Sequence, residues 1–360
     1  MDNIEQPILI NKKNPGPVAA GIFFSLTTVF LSYGGNILTF KNSYLKSGVG
    51  EVLFVLLPVL VFLIAGKYDL RDTLKLRKTK PINYVILIFM TIFALPVAGV
   101  LNALVLLLIK LIFGRNLPVP QIVIADIPTL LTAFLVIGVA AAVCEETLFR
   151  GLISKGYERM GAAGSIILTS VLFGILHRDL QKLLSTILVG ALLGFIVYRT
   201  KSIYTGMVAH FTNNSVAVLL TYSSSKMLDR MNEMGIEQVE NFDFSKIPTV
   251  SLVIVIVFYG ILFLGCLGGF IGLFYAFMKT TDENFKASSH LSQLVNSTEH
   301  ESPAEFTGNA RKNSRFSVAA LISVLPGVLL IFLVFVGQIL ELMNIKSGLI
   351  ISFLKTIGLN

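Results

Sequence analysis

Runs of 18 or more predominantly apolar residues recur along the chain, separated by short polar breaks. Runs of that length read as membrane-spanning helices. Candidate spans, some of them shorter, cover about 18–40, 52–66, 84–113, 130–153, 165–177, 183–198, 203–222, 251–278 and 318–343. The pattern predicts nine spans, with eight or ten as neighbouring counts. The third run would measure about 45 Å as a straight helix, against a hydrocarbon core of about 30 Å. Pro96 offers a kink, and tilt absorbs the rest. The fifth and sixth runs are short, as expected of helices shielded by their neighbours. The fold class is therefore all-α, a polytopic transmembrane helical bundle of eight to nine spans. It divides into N-terminal helices with a basic loop (1–127), a central core (128–222), and a C-terminal part with an acidic loop, a polar linker and further helices (223–360).

Composition narrows the function. Charged residues are 14% of the chain and hydrophobic residues 54%, where soluble domains carry about 25% charge. This excludes a soluble enzyme, a fibrous repeat and a disulfide scaffold. Cys144 and Cys266 both lie in apolar runs and read as small buried hydrophobes. The net charge of +8 is spread between apolar runs, so it marks loops at a membrane face and no nucleic-acid partner. The start, 1–17, is polar and lacks a small-residue cleavage site, so the first span is expected to stay attached.

The loops set an orientation. The segment 67–80 carries Lys67, Arg71, Lys75, Arg77, Lys78 and Lys80 against Asp69 and Asp72, which places it in the cytoplasm. Counting outward puts the N-terminus, 155–159 and 199–201 on the same side. The net-acidic loop 223–246 then falls outside. The Ser/Asn/Glu/Thr-rich segment 279–315 falls inside as a flexible linker holding His290 and His300. The expected location is the cell membrane, multi-pass, with a cytoplasmic N-terminus. No internal repeat is present to suggest an inverted-repeat transporter.

The fourth run contains Glu145, Glu146 and Arg150. Each charge at the centre of a membrane helix costs about 2.5–3.5 kcal/mol on insertion scales. A Leu returns only about 0.3–0.6 kcal/mol. Glu146 and Arg150 stand four apart with the acid first, the favourable order for an ion pair. Glu145 has no local partner. Two more polar groups lie in nearby runs: His177, one turn after Phe173, and His210, one turn before Asn214. Spans close in sequence pack together, so Glu145, His177, His210 and Asn214 are expected to converge on one polar cavity.

This inventory suits the activation of water. Glu145 would be the general base and His177 would share or orient the water. His210 and Asn214 would donate hydrogen bonds to an oxyanion. A divalent metal such as zinc, held by Glu145, His177 and His210, fits the same residue types, and spacing does not decide between the two. Cys144 in its apolar setting is expected to be inert. The chain has no HExxH helix, no paired intramembrane aspartates and no GxSG serine. A non-catalytic scaffold, a transporter or a proton relay could use the same polar cluster.

Three motifs in order now carry a resemblance. Glu145-Glu146-Thr-Leu-Phe-Arg150 matches EExxxR, Phe173–His177 matches FxxxH, and His210–Asn214 matches HxxxN. Together they resemble the CPBP family, which comprises the CAAX proteases and bacteriocin-processing enzymes also called the Abi family. The resemblance covers about 130–222. It implies an intramembrane endopeptidase with Glu145 as base, His177 positioning the water, His210 and Asn214 at the oxyanion, and Glu146 and Arg150 in support. It also implies a membrane-bound protein or peptide substrate: a prenylated CAAX tail, a bacteriocin leader, a signalling peptide, or a target in self-immunity. The family is often labelled metalloprotease, although its glutamate mechanism requires no metal. On the orientation above, the site is expected to open to the cytoplasmic half of the bilayer.

Overall fold

The computed structural model describes residues 13–40, 42–118, 124–235, 248–298, 317–345, 348 and 352. Regular structure among them is helical throughout. Nine long helices follow in order: α1 Pro17–Ile37, α2 Ser43–Ala65, α3 Pro81–Phe113, α4 Ile127–Gly156, α5 Gly161–Leu176, α6 Leu183–Thr200, α7 Ile203–Glu233, α8 Thr249–Thr298 and α9 Val318–Leu342. Eight of them are long and apolar enough to cross a membrane. The remaining one, α7, falls short because it carries His210, Asn213, Asn214 and a run of serines.

Three helices outrun the apolar pattern. α2 begins at Ser43, where Asn42 caps it by accepting from the Tyr44 and Leu45 amides at 2.9 and 3.1 Å. α7 continues to Glu233 through the first part of the expected acidic loop; 236–247 lies outside the described residues. The linker expected at 279–315 is helix as far as Thr298, including His290, while His300 lies outside the described residues. Tertiary contacts hold this extension. Asp282 pairs with Arg199 at 2.9 Å, Glu283 with Lys80 at 3.4 Å, and Thr280 donates to Asn83 at 2.7 Å.

Small residues let helices approach closely, as in membrane bundles generally. Along the α1–α9 seam, Ser25 donates to the Ser323 carbonyl at 2.8 Å and accepts from the Gly327 amide at 3.1 Å. A Cβ on Gly327 would stand 2.9 Å from the Ser25 backbone. The main core unites Phe24 on α1, Leu63 on α2, Leu148 and Phe149 on α4, Tyr157, and Phe173 on α5. Apolar residues such as Leu111, Ile112, Phe258 and Leu264 are left exposed on the outside, as a lipid-facing surface requires. Cys144 is buried, whereas Cys266 on α8 is only half-buried.

The basic loops gather at one end of the bundle. Lys155 bridges Asp72 and Glu158, each at 2.7 Å. The Ile203 amide donates to the Lys75 carbonyl at 3.1 Å. Lys13, just ahead of α1, reaches the Gly66 carbonyl at 3.0 Å. The starts of α1, α5 and α7 and the ends of α2 and α4 therefore share this end.

Candidate active site

α4 starts at Asp126, whose carboxylate accepts from the Thr129 amide at 2.8 Å. Two π-helical stretches interrupt it, Phe134–Ala140 and Thr147–Ile153, with the glutamate pair between them. A third, Glu51–Leu56, lies in α2. Such stretches occur frequently at functional sites.

Glu146 and Arg150 form the ion pair read from their spacing. Arg150 Nη1 donates to Glu146 Oε1 at 2.8 Å and Nη2 to the Gly190 carbonyl at 2.9 Å. Its guanidinium lies 4.5 Å from the Phe173 ring centre. The same Glu146 oxygen accepts from His210 Nδ1 at 3.0 Å. Both charges are buried, at 0% and 2% exposure, and breaking such a pair costs about 3–5 kcal/mol. Gly206 on α7 makes the approach possible, since a Cβ there would stand 2.6 Å from Glu146 Oε2.

Glu145 faces elsewhere. Its Oε2 is buried without a hydrogen-bond partner. It lines a cavity of about 320 Å³ together with Glu51, His177, Arg178, Lys46 and an apolar wall that includes Phe30 and Phe54. His177 Nδ1 lies 2.9 Å from the Phe173 carbonyl. A carbonyl only accepts, so Nδ1 carries the proton and Nε2 keeps a lone pair. Glu145 and His177 make no direct hydrogen bond, which leaves the space between their helices to a small molecule.

The expected convergence of four groups is only partly met. Glu145 and His177 share the cavity; His210 and Asn214 do not line it. The Phe173 ring stands between the two histidines, 4.8 Å from His177 and 5.8 Å from His210. Asn214 donates to the Ile137 carbonyl at 2.8 Å and accepts from Asn213 at 2.9 Å, tying α7 to α4. The metal reading fits poorly. Among the described residues no three His, Cys, Asp or Glu side chains group as metal ligands, and His210 is engaged by Glu146.

The cavity also opens the other way from the sequence expectation. Its lining includes Leu38 beyond the end of α1, Lys46 near the start of α2, and His177 and Arg178 beyond the end of α5. Those are the helix ends away from the basic loops. The reason lies in packing: the turn bearing Glu145 lies against the first half of α2 and not against the loops. Gln338 on α9 fastens the segment after His177, donating to the Arg178 carbonyl at 2.7 Å and accepting from the Leu180 amide at 2.9 Å. Arg178 in turn donates to Ser32 on α1 at 3.1 Å.

Sequence reasoning missed Glu51. It sits at the edge of an apolar run and reads as a border residue. The helical start at Ser43 places it about 12 Å inside α2 instead.

Residues 127–216 match the model of the type II CAAX prenyl endopeptidase Rce1-like family, and all six candidate residues lie within that match. That stretch holds the three motifs that carry the CPBP resemblance. The chain is also 26% identical over 194 residues to the "Putative membrane peptidase YdiL" of Bacillus subtilis (strain 168), covering 52% of this chain and 78% of the relative. No solved structure matches. The stretch that matches the family model runs from α4 to the middle of α7. Glu51, Lys46 and the α9 clamp on the His177 segment come from outside residues 127–216.

Proposed function

We propose that the protein is an intramembrane endopeptidase that hydrolyses a peptide bond of a membrane-associated protein or peptide with water activated by Glu145. The observation that carries this reading is the unpartnered Glu145 oxygen in the same cavity as His177, whose Nε2 is left bare. Glu145 takes a proton from the water as its oxygen attacks the carbonyl carbon. His177 Nε2 accepts the water's other O–H and holds its lone pair toward the substrate. The negative charge that forms on the carbonyl oxygen needs donors. His210 Nε2 donates only when the ring carries both protons, and it reaches that oxygen from beyond the Phe173 ring, outside the cavity that holds Glu145 and His177. Asn214, which likewise lies outside that cavity and already donates to the Ile137 carbonyl, would offer its second amide hydrogen. Glu146 and Arg150 fix the position of His210.

We place the basic end and the N-terminus in the cytoplasm, at the cell membrane, on the positive-inside rule. The cavity mouth then faces outward. That favours a segment already in the outer half of the bilayer, such as a leader or signal peptide, over a cytosolic prenylated tail.

The test is purified protein in lipid, presented with membrane-tethered peptides. Glu145→Ala and His177→Ala are expected to lower the cleavage rate by about 10²–10⁴-fold. Equal cleavage by all three proteins would remove the reading. A chelator of divalent cations is expected to leave the rate unchanged.

A further inference from the structure

Peptide hydrolysis also needs an acid, because the departing amine must gain a proton as the C–N bond breaks. We propose that Glu51 is that acid: a second catalytic carboxyl group that shares one proton with Glu145 across the cavity. This rests on the hydrolase reading above, and nothing within the matched residues 127–216 includes Glu51.

Glu51 and Glu145 line the same cavity from two helices. Each keeps one oxygen buried and without a hydrogen-bond partner. Neither has a basic nitrogen within 4.0 Å among the described residues. Two carboxyl groups that line one cavity, each with a buried and unpartnered oxygen, disfavour double ionisation, and the proposal assigns the pair one shared proton. The other titratable or charged groups around Glu51 are Cys144 on α4, His177 and Arg178 after α5, and Lys46 one turn earlier on α2. The α1 wall offers only apolar residues such as Phe30, Leu31 and Leu38. Arg178 is directed to Ser32, and Lys46 is not in ion-pair contact with either acid. A border residue would send its carboxylate back to water at the start of α2; the Glu51 oxygen is buried instead.

The step balances. The water oxygen bonds to the carbonyl carbon and its proton passes to ionised Glu145. The oxyanion re-forms the carbonyl double bond as the C–N bond breaks, and the Glu51 proton goes to the amine nitrogen. The products are a carboxylic acid and an amine. The proton on Glu145 then returns to Glu51, restoring the starting state with no other reactant consumed.

The experiment uses the full chain in lipid. Infrared difference spectroscopy on wild type at neutral pH is expected to show the carbonyl stretch of a protonated carboxyl group, and Glu51→Gln is expected to lose it. In the peptide assay Glu51→Gln is expected to fall about 10²-fold or more with unchanged thermal unfolding, and Glu51→Asp to recover part of the rate. Absence of the band in wild type, its persistence in Glu51→Gln, or wild-type cleavage by Glu51→Gln would overturn the proposal. If Glu51→Gln does not fold, the wild-type band and the Glu51→Asp rate decide. The infrared result needs no substrate, so a protein that cleaves none of the peptides still reports on the shared proton.

Discussion

Gly206 shows how little freedom the buried charges have. A methyl group there would come within 2.6 Å of both Glu146 Oε2 and Val197 Cγ2. Overpacking of this kind costs about 1–3 kcal/mol. Gly206→Ala is therefore expected to lower the unfolding temperature in detergent and to slow cleavage by displacing Glu146, and with it His210. Wild-type behaviour on both measurements would mean that α7 can move away from α4 without consequence. At this scale the sequence was most legible where partners are local. The Glu146–Arg150 pair follows from spacing alone, because residues four apart on a helix are neighbours. His210 as a third member of that pair was not legible, since its contact spans 64 positions of sequence. Glu51 was hidden for another reason: only the extent of α2 distinguishes a border acid from an interior one.

Among elements, the short basic segment between α2 and α3 is more than a topology signal. Lys75 has a left-handed backbone, with φ at 51°, and its ammonium donates to the Arg150 carbonyl at 2.6 Å. That carbonyl belongs to the second π-helical stretch of α4, so the loop supports the helix bearing the ion pair. Burial brings the Lys75 ammonium down to about 8 from an ordinary 10.5, with Glu158 and Asp72 opposing and Lys155 and Lys201 adding to the fall. The unfolded chain then holds the extra proton between those values. The penalty for burying the charge is present in full below about pH 8 and fades as pH rises toward 10.5. Thermal unfolding from about pH 7 to 10 is expected to show wild type gaining on Lys75→Met across that window. A constant difference between the two would refute the assignment. Helix existence was readable from apolar runs, but helix ends were not. α7 and α8 continue into polar sequence because contacts such as Arg199–Asp282 stabilise turns that hydropathy alone gives no reason to expect.

For the whole molecule, the bundle has two chemically different ends. Basic loops, Lys13 and the ends of α2 and α4 share one; the cavity lined by Lys46 and Arg178 belongs to the other. Single cysteines placed in a Cys144→Ser, Cys266→Ser background can assign the ends to sides. With an impermeant thiol reagent on intact cells, Lys46→Cys is expected to label and Arg77→Cys to label only after the cells are opened. The reverse pattern would turn the cavity toward the cytoplasm and return cytosolic tails to the substrate class. The general plan was open to sequence reading because a bilayer admits few backbone solutions. The direction of the cavity was not, because it depends on how α4 is turned against α2.

That turning has a consequence for the glutamate pair. Glu145 and Glu146 are chemically identical neighbours, and only their angular phase on α4 gives one a cavity and the other an arginine. The phase is set in part by the π-helical stretches on either side, Phe134–Ala140 and Thr147–Ile153. Each carries slack that an α-helix of the same sequence would lack. Removing one residue from the α-helical turn between them, at 141–144, would rotate the C-terminal part of α4 by about 100° relative to its N-terminal part. The division of labour between the two acids is thus written in residue count, so outside Glu145, Glu146 and Arg150 the helix should tolerate substitutions far better than the loss of a single position.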